Sequence, residues 1–273
     1  MSPFERELEI LRPIVLDVGR YVCRLQKTAM VSEKAGGEPV TEADREANRR
    51  LVAAIHEHFP NDYILAEESF IDDQSWTKAE RSWLIDPIDG TREYIEGRDD
   101  FSIMVGLAIE GCAAFGIVYQ ASLDHLFWGG PACGSFLETK DGRRQLKVEP
   151  PIELSEMTGA ISRSHVPPNL KRCLELLGIK KSLGRGSVGV KVALVSSGEA
   201  DLYIHLSKGT KAWDLCAPDA ILSGAGGMFT DCFGSPFDYR APNIENCQGI
   251  IASRCHHQQI VERLEPVSQT FRH

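Results

Sequence analysis

Apolar residues recur at helical spacing along the first two dozen positions of the chain. The recurring residues are Leu8, Leu11, Ile14, Val15 and Val18. This stripe predicts an amphipathic helix that packs on a core, with a membrane surface as the alternative partner for its apolar side. A second helix is predicted from the N-cap Thr41 to about Phe59, and the turn residues 60–62 end it.

Short apolar runs after this helix predict strands. The runs 63–66 and 83–85 each stop at acidic residues. Three further runs, 101–109, 113–119 and 126–128, are separated by turn-forming residues, and this arrangement predicts an antiparallel meander.

The second half of the chain alternates the two patterns. Strands are predicted at 159–162 and 202–205, and helices are predicted at 169–177, 191–197 and 215–225. The whole chain is therefore expected to belong to the mixed α+β class.

Charged residues and prolines near position 150 predict a boundary between two subdomains. We expect an N-terminal α+β subdomain at 1–150 and a C-terminal α/β subdomain at 151–273. An active cleft is expected between them. The N-terminal subdomain would hold most of the acidic ligands of the site, and the C-terminal one would supply the last ligand and the substrate contacts.

Composition excludes several classes of protein. With 42% hydrophobic and 25% charged residues in a chain of 273, the protein is expected to be globular. Its formal net charge of −9 argues against nonspecific binding to nucleic acid, which needs a basic face, but not against a small phosphorylated ligand. The eight cysteines form no CxxC pair, and no signal or membrane-spanning segment is seen, so a cytoplasmic protein with reduced thiols is expected.

Three acidic clusters stand where strands or helices are predicted to end. They are Glu67-Glu68, Asp86-Pro87-Ile88-Asp89-Gly90-Thr91 and Trp213-Asp214. In the second cluster Asp86 is expected at the end of a strand, because Pro87 lacks the N–H that would continue the ladder. Asp86 and Asp89 then lie on one tight turn, so both carboxylates can reach a common point. A lone Asp-Pro or Asp-Gly indicates an ordinary turn, whereas the whole hexapeptide after an apolar strand is far rarer by chance.

The same hexapeptide predicts an oxyanion site beside a metal. Gly90 permits unusual backbone angles and has no side chain to block an anion, and Thr91 opens a short predicted helix, 92–95, whose free N–H groups suit a phosphate. Clustered carboxylates repel one another, and a hard divalent cation such as Mg²⁺ relieves that repulsion. The acidic clusters contain no histidine or cysteine, so zinc is disfavoured.

The hexapeptide resembles the DPIDGT signature of the inositol monophosphatase superfamily. The segments Val40–Asp44 and Ala66–Ser69 resemble those that the family carries upstream, and Trp213-Asp214 with glycines at 224, 226 and 227 resembles its downstream segment. The resemblance covers nearly the whole chain. It implies a layered α/β/α/β/α sandwich of the inositol monophosphatase and fructose-1,6-bisphosphatase type.

The resemblance also implies a role for each acidic residue. The metal ligands would be Glu67, Asp86, Asp89 and Asp214 together with the Ile88 carbonyl. Asp86 would bridge two Mg²⁺ ions, a third ion would join with substrate, and Li⁺ would inhibit by occupying one magnesium site. Asp44 and Thr91 would form the catalytic pair that orients and deprotonates the attacking water, without a phosphoenzyme.

Other segments are similar to the 3′(2′),5′-bisphosphate nucleotidase branch of this family. Residues 91–97 place a basic residue, Glu and an aromatic after Asp-Gly-Thr, residues 211–218 carry Cys-Ala-Pro after the metal-binding Asp, and residues 162–165 are similar to a nucleotide-holding segment. By this likeness the substrate contacts would be Gly90, Thr91, Ser162, His165, Ser187, Lys191 and Asp214. The stretch 186–190 departs from the glycine-rich turn of that branch.

The resemblance therefore implies a Mg²⁺-dependent phosphomonoesterase that converts 3′-phosphoadenosine 5′-phosphate to AMP and phosphate, clearing a by-product of sulfate assimilation. An inositol-1-phosphate or broad sugar-phosphate phosphatase is the enzymatic alternative. The second alternative is a noncatalytic metal- or nucleotide-binding protein with the same fold. The expected partner is a small phosphate ester, with no nucleic acid and no membrane contact, and both a monomer and a homodimer remain open.

Overall fold

The computed structural model describes residues 3–28, 30–33, 39–163 and 168–269 of the chain. Within these ranges no helix is long and apolar enough to cross a membrane. The helices of the described chain are α1 (Glu5–Leu25), α2 (Glu42–His58), α3 (Thr91–Ile95), α4 (Pro168–Leu177), α5 (Val188–Ser197), α6 (Ala212–Gly224) and α7 (His257–Ser268).

The strands fall into a set before and a set after the predicted boundary. The first set is β1 (Val31–Glu33), β2 (Pro39–Thr41), β3 (Tyr63–Ala66), β4 (Arg81–Asp89), β5 (Ser102–Ile109), β6 (Cys112–Gln120), β7 (His125–Gly130), β8 (Gly134–Thr139) and β9 (Gly142–Leu146). The second set is β10 (Thr158–Ser162), β11 (Lys181–Arg185), β12 (Leu202–His205), β13 (Thr210–Lys211), β14 (Met228–Thr230), β15 (Glu245–Asn246) and β16 (Ile250–Ser253).

Two large sheets organise the protein. A seven-stranded sheet has the order β3-β4-β5-β6-β7-β8-β9, in which β3 and β4 are parallel and every later pair is antiparallel. A five-stranded sheet has the order β11-β10-β12-β16-β14, with β10 parallel to both of its neighbours. The predicted meander is confirmed, and the sheet continues it through β8 and β9, which the apolar pattern did not predict.

Helices cover both faces of each sheet. Helices α1 and α2 pack on one face of the large sheet, where Leu11 and Leu51 join a core cluster with Trp83. Helices α5 and α6 lie between the two sheets, and α4 and α7 cover the far face of the smaller one. The layers therefore follow the order α/β/α/β/α, and the predicted sandwich is confirmed.

The middle helix α6 approaches the large sheet unusually closely. Gly106 and Gly116 face it, and a Cβ built on either would lie 2.7 Å from the Ala217 nitrogen or 2.4 Å from its carbonyl oxygen, respectively. These positions on β5 and β6 therefore exclude any larger residue. The close packing fixes α6, and with it Asp214 in its first turn, against the sheet that carries Asp86 and Asp89.

Strand β4 ends later in the chain than the apolar pattern predicted. The predicted strand stops at Asp86, but β4 runs on to Asp89 after an irregularity in its pairing with β5. The interruption falls at Pro87 and Ile88, as the missing proline N–H requires. The ladder resumes where Asp89 pairs with Ser102, so the two acids lie on either side of a kink within one strand.

Helix α6 also contains an acid with an unusual titration. Burial raises the pKa of Asp219 from its ordinary 3.8 to about 7, although its carboxylate accepts hydrogen bonds from the hydroxyls of Tyr239 at 2.9 Å and Ser223 at 3.0 Å. The folded protein therefore keeps a proton that the unfolded chain releases. Stability should fall as the pH rises from about 4 to about 7, with no further loss from this group above about 7.

Replacing Asp219 by Asn should remove this pH dependence. We expect Asp219→Asn to match the wild type near pH 4 and to exceed it by about 4 kcal/mol at pH 8. Urea unfolding at both pH values measures the difference. The exposed Asp141→Asn serves as the control and should show no such trend, and a pH-independent effect of Asp219→Asn would contradict the expectation.

Candidate active site

Three distant segments of the chain meet in one cleft of about 330 Å³. The short 3-10 turn after β3, the end of β4 and the first turn of α6 supply its acidic side. Five acidic residues line the cleft, and four of them, Glu67, Asp86, Asp89 and Asp214, are named here the acid cluster; the fifth is Glu93. Ile88, Gly90, Thr91 and Ser162 line the same cleft. Another cavity of about 470 Å³ lies beside residues 235–248, and none of the predicted site residues lines it.

Asp86 is the most deeply placed member of the acid cluster. It is 3% exposed, and its Oδ1 accepts a hydrogen bond from the Ile88 N–H at 3.0 Å. Burial raises the pKa of Asp86 well above its ordinary value, and the other three acids raise it further by repulsion. The carboxyl of Glu67 also lies within hydrogen-bonding reach of Asp86.

Asp89 is held by the other half of the molecule. Its Oδ2 accepts a hydrogen bond from the Gly189 N–H at 2.8 Å and another from the Ser187 hydroxyl. Burial raises the pKa of Asp89, while these two hydrogen bonds and the charge of Lys191 oppose the rise. The beginning of α5 therefore fixes the direction in which Asp89 points.

Asp214 is fixed by the start of its own helix. Its Oδ2 accepts the Lys211 N–H at 2.7 Å, in the first turn of α6. Burial raises the pKa of Asp214 well above its ordinary value, and the charges of Asp89 and Glu67 add to the rise. Glu67 therefore raises the pKa of each of the three aspartates, Asp86, Asp89 and Asp214, by repulsion.

The acid cluster fits a hard divalent cation by its donors and by its charge. Four carboxylates that repel one another in a buried site are stabilised when a cation replaces protons between them. Across the described ranges no three His, Cys, Asp or Glu side chains already form a coordination cage. The donors are grouped in one cleft, and carboxylate oxygens are the ligands that Mg²⁺ prefers.

Asp44 and Thr91 lie together beside the acid cluster. Asp44 is 1% exposed, and its Oδ2 accepts the Thr41 N–H at 2.8 Å and the Thr41 hydroxyl at 2.5 Å, which completes a capping box on α2. The Thr91 hydroxyl lies 3.3 Å from the Asp44 Oδ1 and 3.0 Å from the Ile88 carbonyl oxygen. Because the hydroxyl donates its single proton to one of these acceptors, its lone pairs remain able to accept a proton from water.

The predicted substrate contacts divide into two groups. Gly90, Thr91, Ser162 and Asp214 line the cleft. Ser187 and Lys191 lie behind its wall, at 0% and 2% exposure. The Lys191 ammonium donates to the Gly186 carbonyl at 2.7 Å and reaches the Ser162 hydroxyl at 3.4 Å. Burial lowers the pKa of Lys191 to about 8 against the opposing charges of nearby acids. His165 lies outside the described residues.

Asp100 is a site residue that the sequence patterns did not reveal. It is fully buried, and its Oδ2 accepts hydrogen bonds from the Gly186 N–H at 2.8 Å and from the Nη2 of Arg163 at 2.8 Å. Its carbonyl accepts the Ser187 N–H at 3.1 Å. Asp100 thereby anchors the segment that presents Ser187 to Asp89. An acid directly before the apolar run 101–109 was the available signal.

The chain is similar to known proteins over most of its length. The model of the inositol monophosphatase family matches residues 8–269. The 3′(2′),5′-bisphosphate nucleotidase CysQ of Escherichia coli is 32% identical over 215 residues, which cover 77% of this chain and 82% of that protein. Inositol monophosphatase 1 of Bos taurus is 29% identical over 238 residues, which cover 84% and 83% of the two chains. The structure of a Thermotoga maritima IMPase superposes with a TM-score of 0.80 at 25% identity, covering 97% of this chain and 99% of the other.

Proposed function

The chain belongs to the inositol monophosphatase family of phosphatases, and within that family we propose that it is a Mg²⁺-dependent 3′(2′),5′-bisphosphate nucleotidase. The substrate is 3′-phosphoadenosine 5′-phosphate, which is hydrolysed to AMP and phosphate. The observation that supports hydrolysis most directly is the meeting of the acid cluster with the Asp44–Thr91 pair in one cleft.

The acid cluster provides the ion-binding side of the reaction. Bound Mg²⁺ supplies Lewis-acid stabilisation of charge on the phosphoryl and leaving oxygens and acidifies water. Glu67, Asp86, Asp89 and Asp214 would hold the ions, with the Ile88 carbonyl, whose oxygen already receives the Thr91 hydroxyl, as a further donor. Ser187 and the Gly189 N–H keep Asp89 pointed at the cleft during this task.

The Asp44–Thr91 pair provides the proton acceptor. Thr91 lines the cleft and can accept a proton from water while its own proton passes to Asp44. Burial raises the pKa of Asp44, which makes its carboxylate a stronger base than an exposed one. Gly90 has a φ of 89°, which side chains rarely allow, and this turn places the main chain beside Thr91 on the cleft, where its N–H groups can meet the phosphate.

The nucleotidase assignment is supported by the branch-specific segments and by the identity with CysQ. Ser162 lines the same cleft as the acid cluster and can donate a hydrogen bond to the substrate. Lys191 and Ser187 would act from behind that wall, Lys191 through the Gly186 carbonyl and the Ser162 hydroxyl. The contact of His165 with the substrate stays a prediction.

A substrate panel tests the proposal. Phosphate release with Mg²⁺ is measured for adenosine 3′,5′-bisphosphate, inositol 1-phosphate, fructose 1,6-bisphosphate and histidinol phosphate. We expect adenosine 3′,5′-bisphosphate to have the highest kcat/KM, and millimolar Li⁺ to inhibit its hydrolysis. A preference of more than about tenfold, or 1.4 kcal/mol, for a sugar or inositol ester would replace the nucleotidase assignment by the alternative one.

A further inference from the structure

The charge of the cleft leaves one part of a bisphosphate substrate without a partner. Two divalent cations would balance the four carboxylates of the acid cluster. They would lie at the phosphate that is cleaved. The second phosphate of the substrate carries its own negative charge into a protein whose formal net charge is −9, so it needs a cation from the chain.

Three cations near the cleft already have contacts with the protein. Lys211 lines the cleft, and its ammonium lies 5.6 Å from the centre of the Trp213 ring. Lys191 is buried, and its ammonium is bonded to the Gly186 carbonyl. The Nε and Nη2 atoms of Arg163 donate to Asp100 at 3.1 and 2.8 Å, and this carboxylate is fully buried. Lys191 and Arg163 therefore stabilise the wall of the cleft, and moving either toward a ligand would leave buried polar groups unpaired.

Arg92 differs from these three side chains. It lines the cleft directly after Thr91, and it is exposed. Its guanidinium makes no hydrogen bond, ion pair or ring contact with any residue in the part of the chain that the structure describes. A cation at the mouth of an acidic cleft would ordinarily pair with one of the nearby carboxylates, so its freedom needs an explanation.

The neighbours of Arg92 on α3 are arranged so that they do not neutralise it. Glu93 follows it in sequence and also lines the cleft, but it is 7% exposed and its side chain packs against Gly186. Glu96 lies one helical turn further, at the i+4 position that favours pairing with Arg92. Its carboxylate instead pairs with Arg98 at 2.7 Å.

We propose that Arg92 determines specificity for bisphosphates by binding the second phosphate of the substrate, the one that is not cleaved. This role rests on the proposed function. A guanidinium offers paired N–H donors that match two phosphate oxygens. The free-energy cost of removing water from it is small, because a guanidinium is weakly hydrated. The position next to Thr91 keeps this contact on the same rim of the cleft as the reacting phosphate.

The test compares two substrates that differ by the second phosphate alone. These are adenosine 3′,5′-bisphosphate and adenosine 3′-monophosphate, each assayed with Mg²⁺ for the wild type, Arg92→Gln and Arg92→Lys. Arg92→Gln should lower kcat/KM for the bisphosphate by about 10- to 100-fold, chiefly through KM, and should lower that for the monophosphate much less. Arg92→Lys keeps the positive charge but not the paired N–H donors of the guanidinium. It should therefore give an intermediate ratio of kcat/KM between the two substrates.

A matched control and a binding measurement separate this role from a structural one. Arg144→Gln removes the same charge from an exposed residue of β9 that does not line the cleft, and it should leave the ratio between the two substrates unchanged. Calorimetry with adenosine 5′-monophosphate, which carries the second phosphate alone, should show weaker binding to Arg92→Gln by about tenfold or more.

The outcomes distinguish this inference from the proposed function. If the wild type does not hydrolyse the bisphosphate, the nucleotidase proposal fails, and with it the role of Arg92. The wild type could instead hydrolyse the bisphosphate while Arg92→Gln lowers kcat/KM for both substrates equally, or for neither. In that case Arg92 does not bind the second phosphate, and the nucleotidase proposal stands.

Discussion

Replacing Asp89 by Asn is expected to lower kcat/KM by at least about 10²- to 10³-fold while the protein remains folded. The amide keeps an oxygen for the Ser187 hydroxyl and the Gly189 N–H, so the contacts between the halves can persist. It loses the charge that the acid cluster needs in order to hold a divalent cation. Phosphate release with Mg²⁺ measures the loss of turnover.

Thermal unfolding with and without Mg²⁺ shows whether that loss comes from ion binding. An ion that binds the folded state raises the melting temperature, so Mg²⁺ should stabilise the wild type and should stabilise Asp89→Asn far less. Without Mg²⁺ the variant should be at least as stable as the wild type, because burial and repulsion raise the pKa of Asp89 and make its charge costly.

The exposed Asp99→Asn is the matched control for this prediction. It removes one negative charge from the loop after α3 without touching the cleft, and we expect wild-type turnover and a wild-type response to Mg²⁺. Undiminished turnover and ion uptake in Asp89→Asn would exclude the acid cluster as the metal site. A wild type that binds phosphate esters without hydrolysing any of them would favour the noncatalytic alternative.

The sequence revealed those parts of the fold that local patterns determine. The stripe on α1 and the cap at Thr41 predicted two helices, and the observed bounds are Glu5–Leu25 for the first and Glu42–His58 for the second. The apolar run 63–66 corresponds to β3. Strand β11 and helix α7 were not predicted. Strand β11 is partly exposed, and it begins with Lys181 and ends with Arg185. Its place in the sheet depends on pairing with β10 and not on an apolar sequence of its own.

The candidate site was predictable to the extent that its chemistry lies in short motifs. The residues of the acid cluster were chosen from the hexapeptide and its flanking segments, and the structure brings them into one cleft. The support of Asp89 by Ser187 spans 98 positions of sequence, and the anchoring of Gly186 by Asp100 spans 86. Such contacts depend on how the two sheets meet, and no local periodicity reports them.

The surroundings of Lys191 also depend on tertiary packing that its motif does not reveal. The resemblance to the nucleotidase branch implied that this lysine contacts the substrate, yet Lys191 and its neighbours on α5 are nearly all buried. The sequence signal for that burial is the apolar run around it, which predicts a helix enclosed on all sides. Position in the middle layer of the sandwich then decides that its ammonium meets the Gly186 carbonyl.

Replacing Asp44 by Asn is expected to lower kcat by about 10²- to 10⁴-fold, the size of a general-base contribution, with a smaller change in KM. The amide can still accept a hydrogen bond from Thr41, but it cannot take the proton that passes through Thr91. Mg²⁺ uptake should be retained, because Asp44 stands beside the acid cluster and not within it. Calorimetric titration with Mg²⁺ and steady-state kinetics separate this result from that of Asp89→Asn.

Thr41→Ala is the control that separates helix capping from proton transfer. The Asp44 carboxylate belongs to the capping box of α2 as well as to the pair with Thr91, so its replacement also weakens the helix start. Thr41→Ala removes the cap hydroxyl at a cost of about 1 kcal/mol of stability and leaves the carboxylate and Thr91 in place. We expect its kcat to stay within about tenfold of the wild type, a change of roughly 1.4 kcal/mol or less in the barrier.

The double variant Asp44→Asn with Thr91→Ala tests whether the two residues act as one unit. If the proton of water passes from Thr91 to Asp44, then removing either residue breaks the same route, and the double variant should be about as slow as the slower single one. Effects that multiply would mean that the two residues contribute independently, and the relay would then be wrong. The 3.3 Å separation of the Thr91 hydroxyl from Asp44 Oδ1 is the contact on which this outcome depends.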